Sequence, residues 1–255
     1  MFVGLEAHRS LFEELAKNGK LFSNYLFFGE PQVGKRYFAE SLAHYLERGD
    51  FADSSGSLID ALIISPSAQE PYGIEVVRKA KKFLWQTPIS SQRRTVIFVE
   101  AEKLTPEAQN ALLKITEEPP RSALIILIAS DENLILPTLL SRLIKVYFPR
   151  LPSNLIKEAL VDGYGLEKSL AAEIADKSFG RMGRAIELTA IAKDSAKADD
   201  IDNFLEKWYL LLRSDIIKNS GKLAWLLNRQ SLLSRYNLNR NLQFKTIKKF
   251  LTKKD

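Results

Sequence analysis

One stretch constrains this chain more than any other: Gly29-Glu30-Pro31-Gln32-Val33-Gly34-Lys35-Arg36. It carries the G-x-x-x-x-G-K spacing of a phosphate-binding loop, a pattern that has meaning only between a buried strand and a helix. Both flanks fit. Tyr25-Leu26-Phe27-Phe28 runs apolar into the first glycine. After the lysine, Phe38, Leu42, Tyr45 and Leu46 fall at i, i+4, i+7 and i+8, one face of a helix. Backbone N–H groups of such a loop and of the following helix form an anion site, to which Lys35 adds a positive charge. The next position, where Ser or Thr would hold magnesium, is Arg36. Gly29, Gly34 and Lys35 thus preserve the phosphate cradle, while the metal hydroxyl is missing. Two readings stay open: a site that still takes nucleotide, and a vestigial loop held by packing.

The rest of the first 150 residues repeats the alternation. Apolar runs at Ala61–Ile64, Thr95–Val99, Leu124–Ile128 and Val146–Phe148 read as four further strands. Amphipathic stretches lie between them, including a helix from about Ile74 to Leu84, and another precedes the first strand, ending near Lys17. Continuous apolar strands alternating with helices predict an α/β fold with a five-stranded parallel sheet covered on both faces. The phosphate loop then sits at the carboxyl edge of that sheet.

Leu151-Pro152-Ser153 marks a break. Ser153 reads as the cap of a helix to about Val161, followed by helices over Glu167–Lys177 and around Ala185–Ile191. Residues 151–196 are expected to form a small three-helix domain. Residues 197–255 read as a short all-helical domain, with Leu205, Trp208, Tyr209 and Leu212 on one face. That face is large for so small a unit, which predicts packing against a neighbour.

Composition removes several classes of function. There is no cysteine, so no disulfide and no cysteine-ligated zinc or iron–sulfur site. His8 and His44 are far apart in helix-like stretches and read as partly exposed positions rather than metal ligands. No run of about 18 apolar residues is present, and the first residues lack the pattern of a signal peptide, so a cytoplasmic protein is expected. The formal charge of +6 permits contact with nucleic acid without demonstrating it. Much of the excess lies at Lys245, Lys248, Lys249, Lys253 and Lys254, either a solvated helix end or a surface for a partner or DNA.

A phosphate loop that hydrolyses nucleotide needs a second element: a strand ending in Asp, which supports magnesium, and Glu, which helps polarise water. The third apolar run ends Val99-Glu100-Ala101-Glu102. Aligned on the following Leu104-Thr105, Val99 takes the Asp position and Glu100 the Glu position, so both groups that hold the metal are replaced. A shifted alignment makes Glu100 a vestigial metal group.

The next segment is a helix with clear ends. Thr105 is a good N-cap, Pro106 suits the first helical position, Ala108, Ala111, Leu112 and Ile115 form the apolar face, and Pro119-Pro120 stops it. Within it, Asn110–Pro120 reads NALLKITEEPP, and Ser141-Arg142-Leu143 comes later in the chain. These two motifs, in this order, resemble the clamp-loader AAA+ ATPase family of bacterial DNA polymerase III. Leu143 stands where the family motif has Cys. The degenerate loop resembles the delta-prime branch of the family more than the gamma/tau motor branch.

The resemblance implies a fold of three parts: an AAA+ P-loop domain, a three-helix lid and a helical collar. Arg142 would act as an arginine finger in trans, on nucleotide held by a neighbouring subunit. The partners would be gamma/tau-like and delta-like subunits and, indirectly, the sliding clamp and primer–template DNA. ATP or ADP would bind weakly at most. The sensor arginine of active relatives aligns with Gly183; Arg184 is adjacent but about 100° around the helix. The four-cysteine zinc module of many relatives is missing from the short stretch Glu47–Ser57, so no zinc is expected. Two other readings are a working gamma/tau-like ATPase and a small-nucleotide kinase on the same loop.

Overall fold

The computed structural model describes residues 2–51, 58–67, 72–195, 220–222 and 224–228. The face at Leu205, Trp208, Tyr209 and Leu212 and the C-terminal lysines lie outside the described residues. The chain divides into two compact units, 1–186 and 187–255, and the sheet lies wholly in the first.

Five strands, β1 (Asn24–Phe28), β2 (Ala61–Ile64), β3 (Arg94–Phe98), β4 (Ala123–Ala129) and β5 (Ile144–Tyr147), form one sheet in the order β2-β3-β4-β1-β5. Every pairing is parallel, with Phe27 opposite Ile128 on one side and Val146 on the other. The helices are α1 (Glu6–Lys17), α2 (Lys35–Arg48), α3 (Ile74–Leu84), α4 (Pro106–Glu117), the single turn α5 (Pro137–Leu140), α6 (Ser153–Tyr164), α7 (Lys168–Ser178) and α8 (Met182–Ser195).

The period of two along each strand splits the core in two. Leu26, Val96, Phe98, Ile125 and Leu127 pack with Val77, Ala80 and Leu84 of α3 and Leu112 and Ile115 of α4. Tyr25, Phe27, Ile97, Leu124 and Ile126 pack on the other face with Phe12 of α1 and Phe38 and Leu42 of α2. That second face is aromatic: the rings of Phe12, Phe27, Phe38 and Phe148 lie 5.1–5.8 Å apart in tilted and edge-on contacts. Burial of both faces explains why the inner strands read as unbroken apolar runs.

β5 is the exception and begins at Ile144, earlier than its apolar run indicates. As an edge strand it buries little of itself, with Ile144 and Tyr147 exposed, so pairing to β1 sets its start rather than hydrophobicity. Thr105 caps α4 as expected, its side chain accepting the N–H of Ala108, with Pro106 at the first position. Ser153 does not cap α6. The helix starts at Ser153 itself, and the hydroxyl donates to Asp176 of α7 at 2.7 Å. His44 is buried rather than partly exposed, its Nδ1 3.0 Å from the carbonyl of Asp50.

Candidate functional site

The phosphate loop fills the gap between the end of β1 and the start of α2. Its geometry depends on glycine at two points. Gly29 has φ +136°, and a Cβ there would lie 2.3 Å from the carbonyl oxygen of Phe148, just after β5. Gly34 has φ +103° and forms the left-handed cap before Lys35. Between them Gln32 adopts φ +65°, a conformation that L residues rarely hold. Its carbonyl accepts the N–H of Gly183 at 2.8 Å. A Cβ on Gly183 would approach the Cβ and carbonyl oxygen of Gln32 to 3.0 Å, a tight contact that a side chain there could make only if Gln32 shifted by a few tenths of an ångström.

Lys35 is buried, and its Nζ donates to the carbonyls of Gly29 at 2.6 Å and Glu30 at 2.5 Å. Burial draws its pKa down to about 8, against the opposing charges of Glu102 and Glu30. Glu30 in turn pairs with Arg150, which holds its carboxyl below the usual range. Arg36, at the position of the metal hydroxyl, pairs along the helix with Glu40 at 2.6 Å.

A cavity of about 420 Å³ adjoins the loop, lined by Gln32, Gly34, Lys35 and Arg36, by Val99, Glu100 and Glu102 after β3, and by Ile128, Ala129 and Ser130 at the end of β4. Gly34, Lys35 and Glu100 thus share one cavity, at the strand ends where parallel sheets bind ligands. Glu100 has φ +52° and pairs with Lys103 at 2.5 Å. Glu102 is a member that sequence reasoning missed. One carboxylate oxygen accepts the N–H of Ser130 at 2.9 Å and also its hydroxyl. The other is buried with no hydrogen-bond partner. A signal for Ser130 existed: it directly follows the longest apolar run, hence the carboxyl end of a central strand. Glu102 had none, because it lies in a short 3₁₀ turn, Ala101–Lys103, that no periodicity marks.

Arg142 lies elsewhere. It follows α5 and precedes β5, and its carbonyl is 3.5 Å from Nδ2 of Asn24, the first residue of β1. Because β1 and β5 are parallel, this is the amino edge of the sheet, separated by the whole of β1, roughly 16 Å at about 3.3 Å per residue, from the start of the phosphate loop at Gly29. Its guanidinium is held by Glu117 Oε1 at 2.5 Å, the Thr138 carbonyl at 2.6 Å and Ser141 Oγ at 3.3 Å. Leu143 is buried in the core face of α3 and α4. Among the described residues no group of acidic, histidine or cysteine side chains could hold a metal ion, and no helix is long and apolar enough to cross a membrane.

The sequence profile of the family described as DNA polymerase III, delta subunit, matches residues 5–152. The chain is 29% identical over 220 residues to DNA polymerase III subunit gamma/tau of Mycoplasma genitalium, covering 79% of this chain and 35% of that protein. It is 29% identical over 155 residues to DNA polymerase III subunit delta' of Pseudomonas aeruginosa, covering 55% of this chain and 47% of that protein. It therefore spans about a third of the length of the gamma/tau relative and about half that of the delta' relative. Among solved structures, the Thermotoga maritima RuvB Holliday junction branch migration motor matches with a TM-score of 0.57 at 20% identity, over 80% of this chain and 68% of that one, a likeness of fold.

Proposed function

The chain belongs to the DNA polymerase III delta-subunit family of clamp-loader AAA+ proteins, and on that premise we propose that it is a delta-prime-like, non-motor subunit of a clamp loader. Residues 1–150 would be its AAA+ domain, 151–196 a lid and 197–255 part of a collar. Its work would be cytoplasmic and structural: it joins gamma/tau-like and delta-like subunits in loading a sliding clamp at primer–template DNA. Its own chemical contribution is Arg142, presented to nucleotide on the neighbouring subunit.

One observation carries this reading: the two candidate groups lie at opposite edges of one parallel sheet. An arginine at the amino edge cannot reach phosphates bound at the carboxyl edge of its own chain, so any phosphate it meets comes from another molecule. The loop supports the same view. Arg36 and Val99 stand where the metal hydroxyl and acid belong, and Gly183, packed tightly on Gln32, stands where the sensor arginine aligns. ATP or ADP would bind weakly, held by loop amides and Lys35.

The test is hydrolysis by the isolated chain. We expect no magnesium-dependent turnover above background. Turnover near one per second, in the range of ordinary enzymes, and lost with Lys35→Ala, would favour the second reading, a working gamma/tau-like ATPase. That reading draws on the 79% of this chain matched by a gamma/tau relative and on the intact Lys35. No observation favours the small-nucleotide kinase.

A further inference from the structure

Arg142 is not a loose surface side chain. Its guanidinium is gripped from two elements at once. Glu117 is the last residue of α4, a helix fixed by the Thr105 cap and by buried Leu112 and Ile115. Thr138 belongs to α5, and Ser141 ends it. The end of α4 is itself tied to β1, since the Thr116 carbonyl accepts Nδ2 of Asn24 at 2.9 Å. A planar guanidinium held at Nη1 by one element and at Nη2 by another has its plane set, not only its charge placed.

A guanidinium has five N–H groups. Nη1 spends its donors on Thr138 and Ser141, and Nη2 spends one on Glu117. Nε–H and the second N–H of Nη2 make no hydrogen bond among the described residues. The side chain is 33% exposed, so solvent and an approaching molecule can reach that remainder.

We infer that Glu117 is a positioning residue for Arg142: it fixes the guanidinium so that Nε–H and the second Nη2 donor face a phosphoryl oxygen on the neighbouring subunit. The inference rests on the trans reading of Arg142. It assigns a role to a glutamate that the local helix pattern explains only as a polar helix end. A purely structural role predicts little here, because a half-exposed ion pair contributes little to folding stability. The carboxylate's charge works against an approaching phosphate, and its geometry works for it. The two are separable by substitution. Glu117→Gln retains the acceptor and drops the charge. Glu117→Ala drops both, and Glu117→Asp keeps the charge but withdraws it by one methylene.

The experiment uses complexes reconstituted from this chain with a gamma/tau-like motor and a delta-like subunit, and reads DNA-stimulated ATP hydrolysis. With Glu117→Ala, kcat at the site served by this chain should fall about tenfold or more, up to the roughly hundredfold that a misplacement of about 1 Å can cost. KM for ATP should change less than twofold, because ground-state binding is the neighbour's own. Glu117→Asp should fall similarly and carries the test if the alanine chain does not assemble. Glu117→Gln should stay within about twofold of wild type. In an Arg142→Ala background Glu117→Ala should add nothing, since the two act as one unit. If Arg142→Ala slows the complex but the Ala and Asp variants match wild type, run faster, or change only KM, the positioning role is wrong while the finger stands. If Arg142→Ala itself changes nothing, the trans reading fails first and takes this inference with it.

Discussion

The two edges of the sheet handle their cations differently. At the carboxyl edge Lys35 is buried and turned onto the carbonyls of its own loop, Gly29 and Glu30. At the amino edge Arg142 is partly exposed and gripped by Glu117 and Thr138, with donors left over. The first arrangement satisfies the cation inside the chain, and a phosphate must compete with those carbonyls. The second holds the cation still while leaving it unfinished. If this chain's chemistry is directed at a neighbour, as proposed, only the second cation matters to catalysis.

The largest expected effect tests that asymmetry directly. In a reconstituted complex, Arg142→Ala should cost on the order of 10³ in ATP hydrolysis at the site it serves, the scale of arginine-finger loss. The bulk rate would fall less, because other sites keep their own fingers. Lys35→Ala in this chain should leave the same rate within about twofold. Steady-state ATPase on the two complexes gives the comparison, with Arg142→Lys as a control that keeps charge without the planar fork and should rescue poorly. Equal losses from both substitutions would erase the distinction between the edges.

The carboxyl edge should prove structural even where it is not catalytic. Gly29→Ala places a Cβ against the Phe148 carbonyl, at a φ that alanine avoids. We expect a loss of about 3 kcal/mol or more, the range for a strained backbone position with a hard clash. Urea unfolding followed by circular dichroism measures it. A loss under about 1 kcal/mol would mean that the loop relaxes freely and is not held by packing.

These contrasts also show what the amino-acid sequence could and could not disclose. The strand-loop-helix unit was legible because apolar runs, glycines and a helical stripe coincide at Tyr25–Leu46. The sheet was legible because both faces are buried and the inner strands leave unbroken apolar runs. The cap at Thr105 was legible because its chemistry is local. Partnerships across the sheet were not. Glu102 with Ser130, Glu117 with Arg142 and Gly183 with Gln32 join residues far apart in the chain, and no local pattern encodes them. His44 misled because a histidine in an amphipathic stretch carries no mark of which side it faces. Arg142 was singled out only through a family resemblance, since a lone arginine before an edge strand has no pattern of its own.

A smaller effect concerns Glu102. Glu102 lines the cavity beside the loop, and its carboxylate charge would oppose an anion bound there. Glu102→Gln should tighten ATP binding to the isolated chain about fivefold at pH 7, the yield of roughly 1 kcal/mol of relieved repulsion in a partly solvated site. Titration with a fluorescent ATP analogue in chelator measures it without a metal. Weaker binding in the variant would identify Glu102 as a ligand group rather than a repulsive one.

The smallest effect is a pH dependence that belongs to the carboxyl edge alone. Lys35 titrates at about 8 because burial disfavours its ammonium form. Only the charged form attracts phosphate, so affinity is full below that value and declines as pH rises through it. The ammonium fraction falls from about nine-tenths at pH 7 to about a quarter at pH 8.5, and apparent affinity follows the competent fraction. Binding of the ATP analogue should therefore weaken about fourfold over that range, with Lys35→Ala weak at both ends and flat between. Glu102 raises the Lys35 pKa, so Glu102→Gln should move the decline to lower pH. If binding is flat in wild type, or if Lys35→Ala retains the slope, some other group titrates in the site and Lys35 is not what holds the phosphate.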